Sequence, residues 1–78
     1  MAMPLFFFDL LENGQPVPDE DGTQVIDIEQ ARVEALRTLG NIAKNELTKS
    51  GQDDLQVSVR DENGQVVLTV SLLVERRA

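Results

Sequence analysis

The sequence predicts an α+β domain of order β-β-α-β-β, a four-stranded sheet with one helix packed on one face. Three observations lead there. Residues 26–51 carry apolar side chains at steps of three and four between a start and a stop signal, the mark of one amphipathic helix. The runs on either side are apolar in alternation or continuously, the mark of strands. Each flank is divided by the same tripeptide, Glu12-Asn13-Gly14 and Glu62-Asn63-Gly64. Asn-Gly between extended runs is the strongest short hairpin signal, because a type I′ turn needs positive φ at both central residues.

The first strand covers residues 5–11, LFFFDLL. Its alternation puts Phe6, Phe8 and Leu10 on one face and Leu5, Phe7, Asp9 and Leu11 on the other. Asp9 marks the second set as the solvent side, so Phe6, Phe8 and Leu10 are expected in the core. The returning strand, Gln15-Pro16-Val17-Pro18, is expected to be short and at an edge, since proline cannot donate to a ladder. Asp19-Glu20-Asp21-Gly22-Thr23 reads as a turn. Its D-x-D-G likeness to a calcium loop fails on register. With Asp19 and Asp21 at the third and fifth places, the bidentate twelfth would be Ile28, and Glu29 falls one residue late. A solvated acidic turn is the expectation.

The helix begins at Asp27, an N-cap, with Gln30 placed to close a capping box and Glu29 in the first turn near the positive end of the dipole. Ile28, Ala31, Ala35, Leu36, Leu39, Ile42, Ala43 and Leu47 form one stripe, with Val33 at its margin. Glu29–Arg32, Glu34–Arg37 and Glu46–Lys49 are i,i+3 pairs on the wet side. Gly40 costs about 1 kcal/mol relative to alanine. It marks either a close backbone approach or a tolerated surface position. Lys49 suits the negative end, and Gly51 is the expected stop.

After the polar link Gln52-Asp53-Asp54, residues 55–61 alternate Leu55, Val57 and Val59 inward with Gln56, Ser58 and Arg60 outward, a half-exposed antiparallel strand. Residues 65–75 form the longest strand. The first and fourth strands are the most apolar, so both are expected in the middle, giving the order 2-1-4-3 along the sheet. The first and fourth would then be parallel, with the helix as crossover.

Composition narrows the chemistry. The 78 residues make one domain, 1–78, near the lower limit for a self-sufficient core. Without cysteine or histidine there is no disulfide, no thiolate metal site, and neither the commonest zinc ligand nor the commonest general base. The remaining carboxylates lie in turns and on the helix surface, and Ser58 and Ser71 have no base in sequence reach. No glycine cluster precedes the helix to hold phosphate. No catalytic residue, cofactor or metal is expected. A net charge of −7 argues against nucleic acid, which needs a basic surface. The acidic residues gather ahead of Arg32, so the first hairpin should be an acidic lobe. No run approaches the roughly 20 apolar residues of a membrane span, and the apolar run at residues 4–8 is too short for a leader. The expectation is a cytoplasmic protein.

One helix stripe covers one sheet face. The other face would carry Leu5, Phe7, Leu11, Val67 and Leu73 beside Asp9, Gln56, Arg60, Thr69 and Ser71. An apolar patch of that kind is commonly an interaction site. With no disulfide or metal, association is the staple left to a chain this small. The expected partner is a second copy or another protein, met through this face or through the edge strand at residues 55–61.

Several segments together carry a resemblance: Phe6-Phe7-Phe8-Asp9, Asp19-Glu20-Asp21-Gly22, Asp27-Ile28-Glu29-Gln30-Ala31-Arg32 and Val59-Arg60-Asp61-Glu62-Asn63-Gly64. In this frame the chain resembles, over residues 3–74, a family of small bacterial proteins of unknown function frequent in soil and plant-associated alphaproteobacteria. That resemblance implies no activity, cofactor or catalytic residue. The Phe-rich first strand, the Asp-Glu-Asp-Gly turn and the following helix are also similar to small antitoxins of the partial RNase-H-like kind. This second likeness implies an antitoxin-like or regulatory protein with a basic protein partner, which the acidic lobe would suit. The strand such proteins place before the helix is missing or very short here, between Thr23 and Ile26.

Overall fold

A computed structural model describes residues 3–45 and 52–75. Along the chain run β1 (Leu5–Glu12), β2 (Gln15–Val17), β3 (Thr23–Gln24), α1 (Ile28–Asn45), β4 (Gln52–Arg60) and β5 (Val66–Glu75). The α+β class and the helix between two hairpins are as the sequence predicts, with one strand more. β3 is a two-residue strand that pairs with Leu5 and Phe6, beside the outer edge where β2 pairs with residues 10–12 of β1.

The two Glu-Asn-Gly tripeptides make different turns. At the first, Asn13 and Gly14 both have positive φ, 50° and 83°, the expected type I′ geometry. At the second only Gly64 does, also at 83°. There Gly64 N–H donates to the Asp61 carbonyl at 3.0 Å, and the Asp61 carboxylate accepts Asn63 N–H at 2.9 Å and Gln65 N–H at 3.0 Å. The Asp61 side chain selects this longer loop, with its left-handed glycine after the turn and a bulge where Arg60 pairs with Val66.

The strand order is β2-β1-β4-β5, whereas the expected order 2-1-4-3 is β2-β1-β5-β4 in these labels, so the last two strands exchange places. The central neighbour of β1 is β4, antiparallel, with Phe7 opposite Arg60 and Glu12 opposite Leu55. The long apolar β5 is the edge. Overall apolarity misleads here because half of β5 never reaches the core. Leu68, Val70 and Leu72 pack against it, while Val66, Val67 and Leu73 stand exposed. β4 has polar residues on its outer face, yet Leu55, Val57 and Val59 are at most 1 % exposed. Burial follows from having a strand on both sides and the helix above.

α1 caps as expected: the Asp27 carboxylate accepts Gln30 N–H at 2.9 Å. The return bond goes one residue further out, from Ile26 N–H to the Gln30 side-chain oxygen at 2.6 Å. The helix packs over β4 and β5 through Ala31, Ala35, Leu39 and Ile42, all buried. Two stripe positions are corrected. Ile28 and Leu36 are each 45 % exposed. Ile28 opens the helix, and Leu36 lies about 100° round from Ala35, beyond the narrow strip that touches the sheet. Ala31 and Ala35 let the helix come close enough for that strip to suffice. Glu29–Arg32 and Glu34–Arg37 pair at 3.1 and 2.7 Å. Leu47, the Glu46–Lys49 pair and the Gly51 stop lie outside the described residues. Gly40 is exposed, and nothing would meet a Cβ built there within 4 Å, so it is a surface position.

Of the three expected core residues of β1, Phe6 is buried, and Phe8 and Leu10 pack against the core half-buried. Val25, 3 % exposed, completes the cluster from just before the helix, held by its N–H to the Pro4 carbonyl at 3.1 Å. Each such buried aliphatic side chain stabilises by roughly 1.5–3 kcal/mol.

Candidate functional site

The side of the sheet away from α1 holds the expected interaction residues, but not as one patch. Cross-strand pairing lays out its rows: Phe7 opposite Arg60, Asp9 opposite Ser58 and then Thr69, Leu11 opposite Gln56 and then Ser71. The middle strand of this face is polar throughout, and Ser58 and Thr69 hydroxyls lie 3.5 Å apart across it. Leu11 on β1 and Val67 and Leu73 on β5 are therefore separated by a polar strip about 10 Å across, two strand spacings. They are 38 %, 36 % and 54 % exposed. Leu5 and Phe7 are half-buried, because the loop between β2 and β3 lies over them. A Cβ on Gly22 would come within 3.0 Å of Leu5 Cδ1 and Phe7 Cε1. Gly22 has φ +76°, so the loop depends on glycine for both shape and clearance.

The same loop carries a network centred on Arg60. Its Nε donates to Asp9 Oδ2, and its Nη2 donates to Asp9 Oδ1 and to the Asp19 carbonyl, both at 3.2 Å. The guanidinium also sits 4.8 Å from the centroid of the Phe7 ring. Asp9 in turn accepts Asp19 N–H at 2.9 Å. Asp19 accepts Phe8 N–H at 3.0 Å and both Asp21 and Gly22 N–H at 3.1 Å. The Arg60 hydrogen bond holds the Asp9 carboxyl below its ordinary range, against partial burial. For Asp19, burial pushes upward, and the backbone N–H bonds from Phe8, Gly22 and Asp21 together outweigh it.

Where the sequence leads one to expect a solvated turn, Asp19 is half-buried and tied to β1. The Asp19 carboxylate faces backbone donors, the arrangement of an Asx turn, and not a set of oxygens around a cation. Among the described residues no group of three or more acidic side chains is gathered for a metal. The turn chemistry of Asp-x-Asp-Gly was legible. The pairing of Asp9 with Arg60, 51 residues on, carries no local signal.

A second tie joins the first turn to the start of β4. Asn13 N–H donates to the Asp54 carbonyl at 2.8 Å, its side-chain oxygen accepts Asp54 N–H at 2.7 Å, and its amide donates to Asp53 Oδ1 at 2.9 Å. Asp53, expected in a polar link, is 2 % exposed. A third tie comes from the second turn, where Glu62 accepts Leu5 N–H at 3.1 Å.

The free edge of β5 completes the surface. Asp61 N–H bonds to Gln65 and the Asp54 carbonyl to Asn13, so odd-numbered residues of β4 face β5 and even-numbered ones face β1. Their partners Leu68, Val70, Leu72 and Val74 bond inward. Thr69, Ser71 and Leu73 turn their backbone groups outward, where no described strand pairs with them.

A family model described as Domain of unknown function (DUF6894) matches residues 5–73. The chain belongs to the DUF6894 family. No curated protein and no solved structure matches it. The DUF6894 match runs from the first residue of β1 nearly to the end of β5, so it takes in the Arg60 network, the Asn13 tie and almost all of the free edge. Among the described residues of this DUF6894 domain, no helix is long and apolar enough to cross a membrane.

Proposed function

We propose that this DUF6894 domain is a non-catalytic protein-interaction module of the cytoplasm, associating through the side of its sheet that α1 leaves open. The observation that carries this reading is the exposure of Leu11, Val67 and Leu73 on that side, next to an edge strand that no described strand covers. A chain this small, with no disulfide, gains from burying such groups against another protein. Phe7, already under Gly22 and Arg60, belongs to the domain's own packing. Light scattering over a micromolar dilution series, with native co-purification, tests the reading. Leu11→Ser with Leu73→Ser should keep the circular dichroism spectrum and weaken association. A chain that stays monomeric at every concentration and retains no protein partner overturns the reading.

The exposed Glu20, Asp21 and Asp27 favour a second reading, an antitoxin-like or regulatory domain for a basic protein partner. β3, at the place of the strand such proteins carry before the helix, is only two residues long. A partner retained at low salt and released at high salt would support it; no salt-sensitive partner and no toxin-like gene neighbour would discard it.

A further inference from the structure

We propose that β5 pairs with β5 of a second copy of this chain, antiparallel, about a two-fold axis at Val70. The inference rests on the interaction reading above and supplies its partner, strand and register.

The strand is chemically palindromic. From Val67 to Leu73 it reads Val-Leu-Thr-Val-Ser-Leu-Leu. About Val70, Thr69 mirrors Ser71, Leu68 mirrors Leu72 and Val67 mirrors Leu73, and the bulge at Val66 ends the mirror there. A two-fold axis turns that mirror pattern into contacts, because an isologous interface sets residue i against j and j against i. Directly opposed residues on paired strands share a face and interact. In this register every apolar residue meets an apolar one and each hydroxyl meets a hydroxyl. Moving the axis to Ser71 sets Thr69 against Leu73 and Val67 against Glu75. Moving it to Thr69 sets Val67 against Ser71. Only the Val70 axis leaves no mismatch.

The backbone agrees. Thr69 and Ser71 turn N–H and C=O to the open edge, and the Val70 axis places Thr69 of each copy opposite Ser71 of the other, where antiparallel residues exchange both hydrogen bonds. Val70 faces its own equivalent at the close, non-hydrogen-bonded position. Because opposed residues keep the same face, both α1 helices lie on one side of a continuous sheet. Leu68, Val70 and Leu72, only half-buried against the core, then meet Leu72, Val70 and Leu68 of the other copy beneath the two helices.

The two edges of the sheet are treated oppositely. On the β1 side, Pro16 interrupts β2, β3 is two residues long, and the Asp19 carboxylate takes the backbone N–H of Phe8. Proteins blunt an edge with such devices to prevent strand addition. β5, ten residues long, carries no proline, lysine or arginine, and its one charge is Glu75 at the end. Glu75 lies beyond the Val67–Leu73 seam, so a chain of net charge −7 brings no like charges together along it.

The absence of cysteine makes the register directly measurable. Under mild oxidation of the full chain, Val70→Cys should convert to a covalent dimer, since opposed Cα atoms at a non-hydrogen-bonded pair are about 4.5 Å apart, within disulfide reach. Thr69→Cys and Ser71→Cys should each stay uncrosslinked alone and crosslink when mixed. Ser71→Pro removes an outward N–H without removing a β4 bond, and should abolish the dimer in light scattering with the circular dichroism spectrum retained. If that variant unfolds, the cysteine set decides alone. Self-crosslinking of Ser71→Cys without Val70→Cys overturns the register. Assembly of the unmodified chain with no β5 crosslink overturns edge pairing and leaves the interaction reading standing. A monomer that retains another protein overturns self-pairing in the same way; a monomer with no partner overturns both.

Discussion

The Asp19 carboxylate accepts the backbone N–H of Phe8 at 3.0 Å, in the place where a neighbouring strand would otherwise stand. The outer edge of β1 is paired by β3 at residues 5 and 6 and by β2 from Leu10 onward. Phe8 falls in the gap, and its N–H points outward because alternate residues of β1 face β4. A side chain reaching back 11 residues fills the gap. Asp19→Ala leaves the Phe8, Asp21 and Gly22 donors without their acceptor. Losing acceptors of this kind costs roughly 1–3 kcal/mol. Urea unfolding should show a lower midpoint with unchanged slope, and amide exchange at Phe8 should accelerate more than at Val57. Equal acceleration at both would count against a local role.

Stability at acid pH has a definite sign. Asp9 and Asp19 have folded pKa values below their ordinary 3.8. Below 3.8 the unfolded chain therefore binds more protons than the folded one, and stability rises with pH through that window. The contribution is whole above 3.8 and is lost as pH falls through the lower folded values. Urea midpoints for Asp9→Asn should be lower than for the unmodified chain at neutral pH, and the two should converge as the pH is lowered through this window. A gap that stays constant on acidification would contradict the Arg60 origin of the shift.

Asn13 combines a left-handed φ of 50° with three hydrogen bonds to Asp53 and Asp54. Asn13→Gly keeps the turn and loses the side-chain bonds; Asn13→Asp keeps one oxygen acceptor but opposes the buried Asp53 carboxylate. Both should destabilise, the aspartate more, and thermal melts of the pair separate turn geometry from the tie. An Asn13→Gly melting point equal to that of the unmodified chain would place the whole effect in the turn.

Two glycines should respond in opposite directions to alanine. Gly40→Ala should stabilise by about 1 kcal/mol, since the position is helical and open. Gly22→Ala should destabilise by roughly 1–2 kcal/mol from positive φ alone, with the contacts to Leu5 and Phe7 added. Chemical denaturation reads both.

Local signals carried much of this fold into the sequence. Asp27 and Gln30 announced the helix start, Asn13-Gly14 the first turn, and alternation the inward set Leu55, Val57 and Val59. What stayed hidden depends on residues far apart. Val25 and Ile26 stand side by side ahead of the helix, and nothing local shows that Val25 enters the core, anchored through Pro4, while Ile26 stays exposed. Asp53 looks exposed until Asn13 meets it. Apolarity alone points to β5 for the middle of the sheet, yet β4 is the strand with neighbours on both sides. The open face was legible as a set of side chains; that Gly22 and Arg60 cover Phe7 was not, since both come from other parts of the chain.

The antiparallel union of β1 with β4 also bears on how the chain reaches its native state. Each hairpin and the helix can form from near neighbours in microseconds or less. Joining them cannot, because Asp9 and Arg60 are 51 positions apart and everything between must be gathered into a loop first. The slow step is the meeting of the two hairpins, and the refolding rate should fall in the range of mixed α/β domains, below that of helical bundles. Stopped-flow refolding at helical-bundle speed would show that the hairpins meet earlier than this. Until they do, neither Arg60 nor Asn13 has its partner, and the two halves of the sheet are separate pieces on one string.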